Sequence, residues 1–255
     1  MKQQPNLNEI LNRKNNFNVG ETFDECLTYF KKTFLLNGLV LLIIMSIIMI
    51  PIIFLLSKSG IFSIDDPQAF EEIINNNSFF LYNLLAGIFI SILTAPIFAG
   101  FIQINRDIDT DNEVGISNIL KHYKSKYFIQ IVGFTLIIQL INFALVYLAQ
   151  IAGISFVGTL LSYIVTFLSI LGIPLIIFSN LNAVKALEYS IKIILKNPTN
   201  TLSLYILSIL VALLGILACG VGIIFTLPLI YTAQFVLYKK LVGFNDQFEF
   251  DMEKK

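Results

Sequence analysis

Four long stretches of this chain carry no charged side chain: Thr33–Ser57, Ile73–Asn105, Tyr127–Val184 and Asn197–Tyr238. Within them apolar residues follow one another on consecutive positions, as in Leu41-Leu42-Ile43-Ile44-Met45. A barrel strand would alternate apolar and polar residues. A helix that is apolar on every face suits lipid, where its backbone bonds are all internal. A bilayer core takes about 20 residues per helix. The first two stretches therefore predict one span each, over 35–56 and 79–104. The third is 58 residues long and the fourth 42, room for two spans each. These fall at 128–150 and 156–178, then at 200–219 and 222–239. Gly153-Ile154-Ser155 and Gly220-Val221-Gly222 supply the turns, because glycine reaches backbone angles other residues resist. The predicted fold class is all-α, a polytopic membrane bundle of six transmembrane helices. Residues 1–34 form an N-terminal segment, 35–242 the membrane domain and 243–255 a tail.

Charge placement orients the bundle. With six spans, the N-terminal segment, the loops after spans two and four, and the tail share one side. Together they hold 16 of the 17 basic residues, and only Lys58 falls on the other side. The positive-inside rule then predicts cytoplasmic termini. The one sizeable outside loop, Ser57–Asn77, is acidic through Asp65, Asp66, Glu71 and Glu72. Met1–Gly20 is polar and lacks an apolar signal core, so the first span is expected to remain as an anchor.

The polar segments have a pattern of their own. In 183–196, Val184, Leu187, Ile191, Ile194 and Leu195 share one helical face, and Lys185, Glu188, Lys192 and Lys196 the other. That predicts a short amphipathic helix lying in the headgroup plane, apolar side down. Phe23, Leu27, Phe30 and Phe34 repeat the spacing before span one, next to Lys31 and Lys32. Ile116, Ile119, Leu120 and Tyr123 repeat it before span three, next to Lys121 and Lys124. The second span of each pair carries a proline, Pro96, Pro174 or Pro228, each expected to kink its helix. Cys26-Leu27-Thr28-Tyr29 resembles Ala186-Leu187-Glu188-Tyr189, with Asn37 and Asn197 at the same offset. The pattern is compatible with a threefold repeat of surface helix plus hairpin. It is equally compatible with the ordinary frequency of proline in membrane helices.

Composition agrees with a membrane location: 56% of residues are hydrophobic and 13% charged, against about 45–50% and 25% in soluble domains. Net charge is zero and points to no nucleic-acid partner. Cys26 and Cys219 suggest neither a disulfide framework nor a metal clip. Apart from Lys239, the last residue of the sixth, no charged residue falls within the six predicted spans, which argues against a proton-coupled carrier and against an intramembrane metalloprotease. No cofactor or metal is expected. The single histidine, His122, is expected to be solvated or to face headgroups. Asp107, Asp109, Asp111 and Glu113 alternate after span two and read as a solvated acidic loop, lacking an EF-hand's ligand spacing. The polar feature at depth is on span three, where Thr135, Gln139, Asn142 and Gln150 fall near one face. Asn83, Ser91 and Thr94 of span two and Thr226, Thr232 and Gln234 of span six are potential partners. That face serves either helix packing through interhelical hydrogen bonds or a polar path.

Ala186-Leu187-Glu188-Tyr189-Ser190, Lys196-Asn197, Gly215 to Gly222, Thr226-Leu227-Pro228 and Tyr238 together resemble a known pattern. It is that of a broad group of uncharacterised bacterial six-span membrane proteins. These are similar to the membrane domain fused to glycerophosphoryl diester phosphodiesterases, and relatives often carry the label beta-carotene monooxygenase. The best match covers about 60 residues at the C-terminal end. That label implies a non-haem iron held by several histidines, which a chain with one histidine cannot supply. The resemblance thus implies a fold and a location, without an activity. The expected function is that of a non-enzymatic protein of the bacterial plasma membrane: a scaffold, an accessory subunit, or a component of lipid and envelope homeostasis. Membrane lipids, anionic ones included, and a membrane protein are the expected partners. The alternative is a facilitator or exporter of a small amphipathic molecule. An enzyme using Asp107, His122 or Tyr231 ranks third.

Overall fold

The computed structural model describes residues 16–58, 77–217 and 220–244. The acidic loop residues 65–72, Cys219 and the ends of both termini lie outside them. Ten α-helices and no strand occur among the described residues. They are α1 (Val19–Lys58), α2 (Asn77–Asp109), α3 (Ile116–Leu120), α4 (Phe128–Ile151), α5 (Ser155–Leu168), α6 (Gly172–Ser179), α7 (Ala183–Ile194), α8 (Pro198–Leu213), α9 (Gly222–Thr226) and α10 (Leu229–Leu241). Six helical segments are long and apolar enough to cross a membrane, so the chain is a multi-pass membrane protein of the all-α class. Both predicted turns hold: Gly153 and Gly220 have φ of +72° and +77°, values open to glycine and costly for other residues.

The first predicted boundary moves. Residues 19–34 are not a separate surface helix but the first half of α1, which runs unbroken for 40 residues. Asn18 starts it, its side-chain oxygen accepting from the Gly20 and Glu21 amides at 2.9 and 3.3 Å. Nothing after that stops a helix, so the polar and apolar halves propagate as one. Span two likewise continues past residue 104 to Asp109.

The prolines sit in three different settings. Pro96 lies inside a continuous α2. Pro174 is the third residue of α6, after a break at 169–171, and Pro228 immediately precedes α10. Spans four and six are therefore interrupted rather than simply kinked. A proline in the first turn needs no amide partner, so the helix restarts around it. The freed polar groups are met from outside. At the span-four break, the Gly172 amide turns to Ser169 O at 2.9 Å. The Ser190 hydroxyl of α7 then donates to Leu168 O at 2.7 Å and accepts from the Leu171 amide at 3.2 Å. In α2 the Tyr123 hydroxyl donates to Leu93 O, in the turn that Pro96 interrupts. Near Pro228, the Thr226 hydroxyl donates to Ala212 O of α8 at 2.5 Å.

These contacts define the packing. α3 lies on α2, α7 lies on α6, and the first half of α1 lies on α10. Each polar segment thus packs on the second span of the hairpin before it, and the first closes on the last. The equivalent positions Cys26 and Ala186 are both fully buried. The approach of α3 to α2 needs Gly100, where a Cβ would overlap the Ile119 carbonyl. The core lies among these elements, with Phe101, Ile102, Leu175, Ile194, Leu204, Phe235 and Tyr238 fully enclosed. The outer part of the α4–α5 hairpin stands apart and is largely exposed, Phe156 at 80%.

Gly100→Ala is expected to lower stability by about 1–3 kcal/mol, because a backbone carbonyl cannot swing away as a side chain can. Gly87→Ala, with nothing within 4 Å, is the control and should leave the unfolding midpoint unchanged or slightly raised. Thermal unfolding in detergent reads both.

Candidate functional site

Three helix ends meet in a cluster of charges that no local pattern announces. Glu25 and Tyr29 come from α1, Arg106 and Asp109 from the end of α2, and Lys239 and Lys240 from the end of α10. Lys239 Nζ lies 3.1 Å from Glu25 Oε1 and 2.6 Å from Asp109 Oδ1, and donates to Tyr29 OH at 2.8 Å. Lys240 Nζ lies 2.7 Å from Glu25 Oε2, and Arg106 2.8 Å from Asp109 Oδ2. The Tyr29 hydroxyl donates to Asp109 Oδ1. All four carboxylate oxygens therefore face a cation. The side chains of Lys239, Asp109 and Glu25 are only 16, 12 and 22% exposed, so solvent screens the cluster weakly. Apolar rings enclose it: Phe235 stands edge-on to Tyr29 at 5.3 Å, and Arg106 lies 3.7 Å above the Phe244 ring.

A second cluster joins α2 to the following segment. Asp107 accepts from Gln103 at 2.8 Å and from Asn118 at 3.0 Å, with Lys121 at 3.6 Å. The reading of 107–113 as a solvated loop is thus half wrong. Asp107 and Asp109 belong to α2 and are partnered, while Asp111 and Glu113 are exposed. His122 is also corrected: it is 2% exposed, with Nδ1 3.4 Å from Ser125 Oγ and Nε2 buried without a partner. Burial first, and then the charge of Lys121, hold its imidazole well below the ordinary 6.5, at about 4, against a smaller opposing pull from Asp107. For Asp107 and His122 the cause is the same. Gly100 lets 116–124 fold down onto α2, and that closes over side chains which sequence spacing alone leaves in solvent.

The polar face predicted on span three does not gather into one line. Thr135 donates to Ile131 O of its own helix at 3.0 Å. Asn142 Nδ2 donates to Thr166 Oγ1 across the α4–α5 hairpin at 3.1 Å, while its Oδ1 is buried and unpartnered. Gln139 is half-buried and Gln150 exposed. The proposed partners are used elsewhere: Ser91 and Thr94 bond back to α2, Thr226 reaches α8, and Thr232 approaches Asn105 at 3.4 Å. In α1, Asn37 is fully buried with both amide atoms unpartnered.

The predicted amphipathic helix α7 exists but turns a different face inward. Ala183, Ala186, Ser190, Ile193 and Ile194 are buried against α4, α5 and α6, whereas Val184 and Leu195 are 66 and 59% exposed. It is docked on protein and does not lie free with its apolar side in lipid. Asn182 caps it by accepting from the Lys185 amide at 2.9 Å, and Gln130 of α4 accepts from the Ala183 amide at 2.9 Å. Lys31, Lys32, Lys121, Lys124, Lys185, Lys192 and Lys196 are all exposed, as headgroup-facing cations would be.

Compared with family models, with curated proteins and with solved structures, the chain matches none of them.

Lys239→Met is expected to cost about 2–4 kcal/mol, because it leaves Glu25 Oε1 and Asp109 Oδ1 without their cation in a largely enclosed site. Adding Asp109→Leu should recover part of that loss, which a double-mutant unfolding cycle measures. For His122, the folded chain binds its proton less readily than the unfolded chain does. Its contribution is fully present above about pH 6.5 and is lost as pH falls toward about 4. His122→Leu should flatten the unfolding midpoint over that interval.

Proposed function

We propose that this chain is a non-enzymatic integral protein of the bacterial plasma membrane, with both termini in the cytoplasm. It acts as a scaffold or accessory subunit in lipid or envelope homeostasis. The observation that carries this reading is how the described ionisable groups of the helix ends are used. Glu25, Arg106, Asp109 and Lys239 face one another and tie α1, α2 and α10 together. Groups saturated in this way hold helix ends in register; a general acid or base must instead be free to exchange a proton with a substrate.

Two further features support it. On span three, Thr135 bonds within its own helix and Asn142 across its own hairpin, as packing residues do. The α4–α5 hairpin extends from the core with Phe156, Tyr163 and Ile164 outward, an apolar surface suited to a membrane-protein partner or to lipid. The likeness to the six-span membrane domain described above implies the same location.

Two measurements test the reading. Gentle detergent extraction should bring down a discrete membrane-protein partner or a selected lipid class; extraction with neither defeats it. Proteoliposomes bearing the chain should show no more flux of small amphipathic solutes than empty ones. Flux that Gln139→Leu with Asn142→Leu abolishes would establish the facilitator instead. For orientation, a cysteine at position 192 should resist an impermeant reagent in intact cells and one at position 66 should react.

A further inference from the structure

The inward turn of α7 leaves an unusual outer side. Val184 and Leu195 stay exposed among Lys185, Lys192 and Lys196. The same combination recurs twice. On α1, Lys31 and Lys32 are followed by Phe34 and Leu35, 42 and 57% exposed. Beside α3, Lys121 and Lys124 accompany Ile116 and Leu120, 53 and 42% exposed. A single exposed leucine means little. Three lysine groups that each share their surface with bare apolar side chains have a common physical solution at the headgroup boundary. There the apolar side chains enter the acyl region and the ammonium groups reach up to phosphate.

Three of the described carboxylates are turned away from the surface. Glu25, Asp107 and Asp109 are drawn into the interior clusters, while Glu21, Asp24, Asp111 and Glu113 stay exposed. Glu188, the acid on α7, is held by Lys192 at 2.5 Å. Among the described residues no carboxylate lies within bridging distance of Lys31, Lys32, Lys124, Lys185 or Lys196. Toward the described residues those donors are open, and what they fit is a phosphate attached to an acyl chain.

We propose that the outer side of α7, with the matching lysine groups of α1 and the 116–124 segment, seats the headgroups of anionic phospholipids. The seat rests on the functional reading above and specifies its lipid partner. Its selectivity does not depend on which way the chain faces the cell.

The test uses the full chain in symmetric bilayer nanodiscs containing spin-labelled phosphatidylglycerol or phosphatidylcholine. The protein should immobilise the anionic lipid preferentially. The triple variant Lys185→Gln, Lys192→Gln, Lys196→Gln should lose that preference, by on the order of fivefold per lysine at most. Replacing the same three by arginine should preserve it. For the unaltered protein, raising salt to a Debye length of about 3 Å should weaken the preference. Equal immobilisation of both lipids overturns the proposal, as does selectivity that the glutamine variant or high salt leaves undiminished. Suppression by millimolar inorganic phosphate also overturns it, since that marks a free-anion site. Partner capture and solute flux are read separately, so this seat can fail while the scaffold reading stands, and the reverse.

Discussion

A proline in a lipid-embedded helix leaves polar backbone groups that no water will meet. Much of this fold follows from where those groups find partners. The break before Pro174 is bridged by one hydroxyl, Ser190, which donates on one side and accepts on the other. The turn before Pro96 receives the Tyr123 hydroxyl. Both donors sit on the polar segment that follows the interrupted span. Those segments are therefore bound to protein rather than adrift on the membrane surface. Once α7 is fixed by Ser190, its inner face is fixed too, and small side chains such as Ala183 and Ala186 let it approach closely.

The same logic closes the ring. The first half of α1 takes the place on α10 that α7 takes on α6, but its polar contact differs. It meets Lys239 and Asp109 through Glu25 and Tyr29. Charge does there what a hydroxyl does at the other junctions. The cost of burying charge is met because every carboxylate oxygen in the cluster has a cation, and the rings of Phe235 and Phe244 exclude water around it. This arrangement separates two populations of cations. Arg106 and Lys239 hold the fold together, while Lys31, Lys32, Lys124, Lys185 and Lys196 stay exposed with no carboxylate bridge among the described residues.

Asn37 and Asn142 carry unpartnered amide atoms away from solvent, a cost that the rest of the bundle tolerates. They lie in different helices, and neither joins the charge clusters. The polar groups within the spans are dispersed through the packing.

Span number, helix type and hairpin turns were legible in the sequence because they depend on local quantities: uninterrupted apolar length, charge-free stretches, and glycines at positive φ. The positions of the surface lysines were legible for the same reason, since solvation of a long cationic side chain is a local preference. The inner face of α7 was not. Its hydrophobic periodicity selected Val184 and Leu195, but close packing on α6 favoured Ala183, Ala186 and Ser190. His122, Asp107 and Asp109 look solvated when taken with their neighbours in the chain. What encloses His122 and Asp107 is the descent of 116–124 onto Gly100, and what pairs Asp109 is Lys239, 130 residues away. No periodicity records such a meeting. Apolar length alone decided that these helices belong in lipid, whereas the three-dimensional packing decided which of their polar groups face one another.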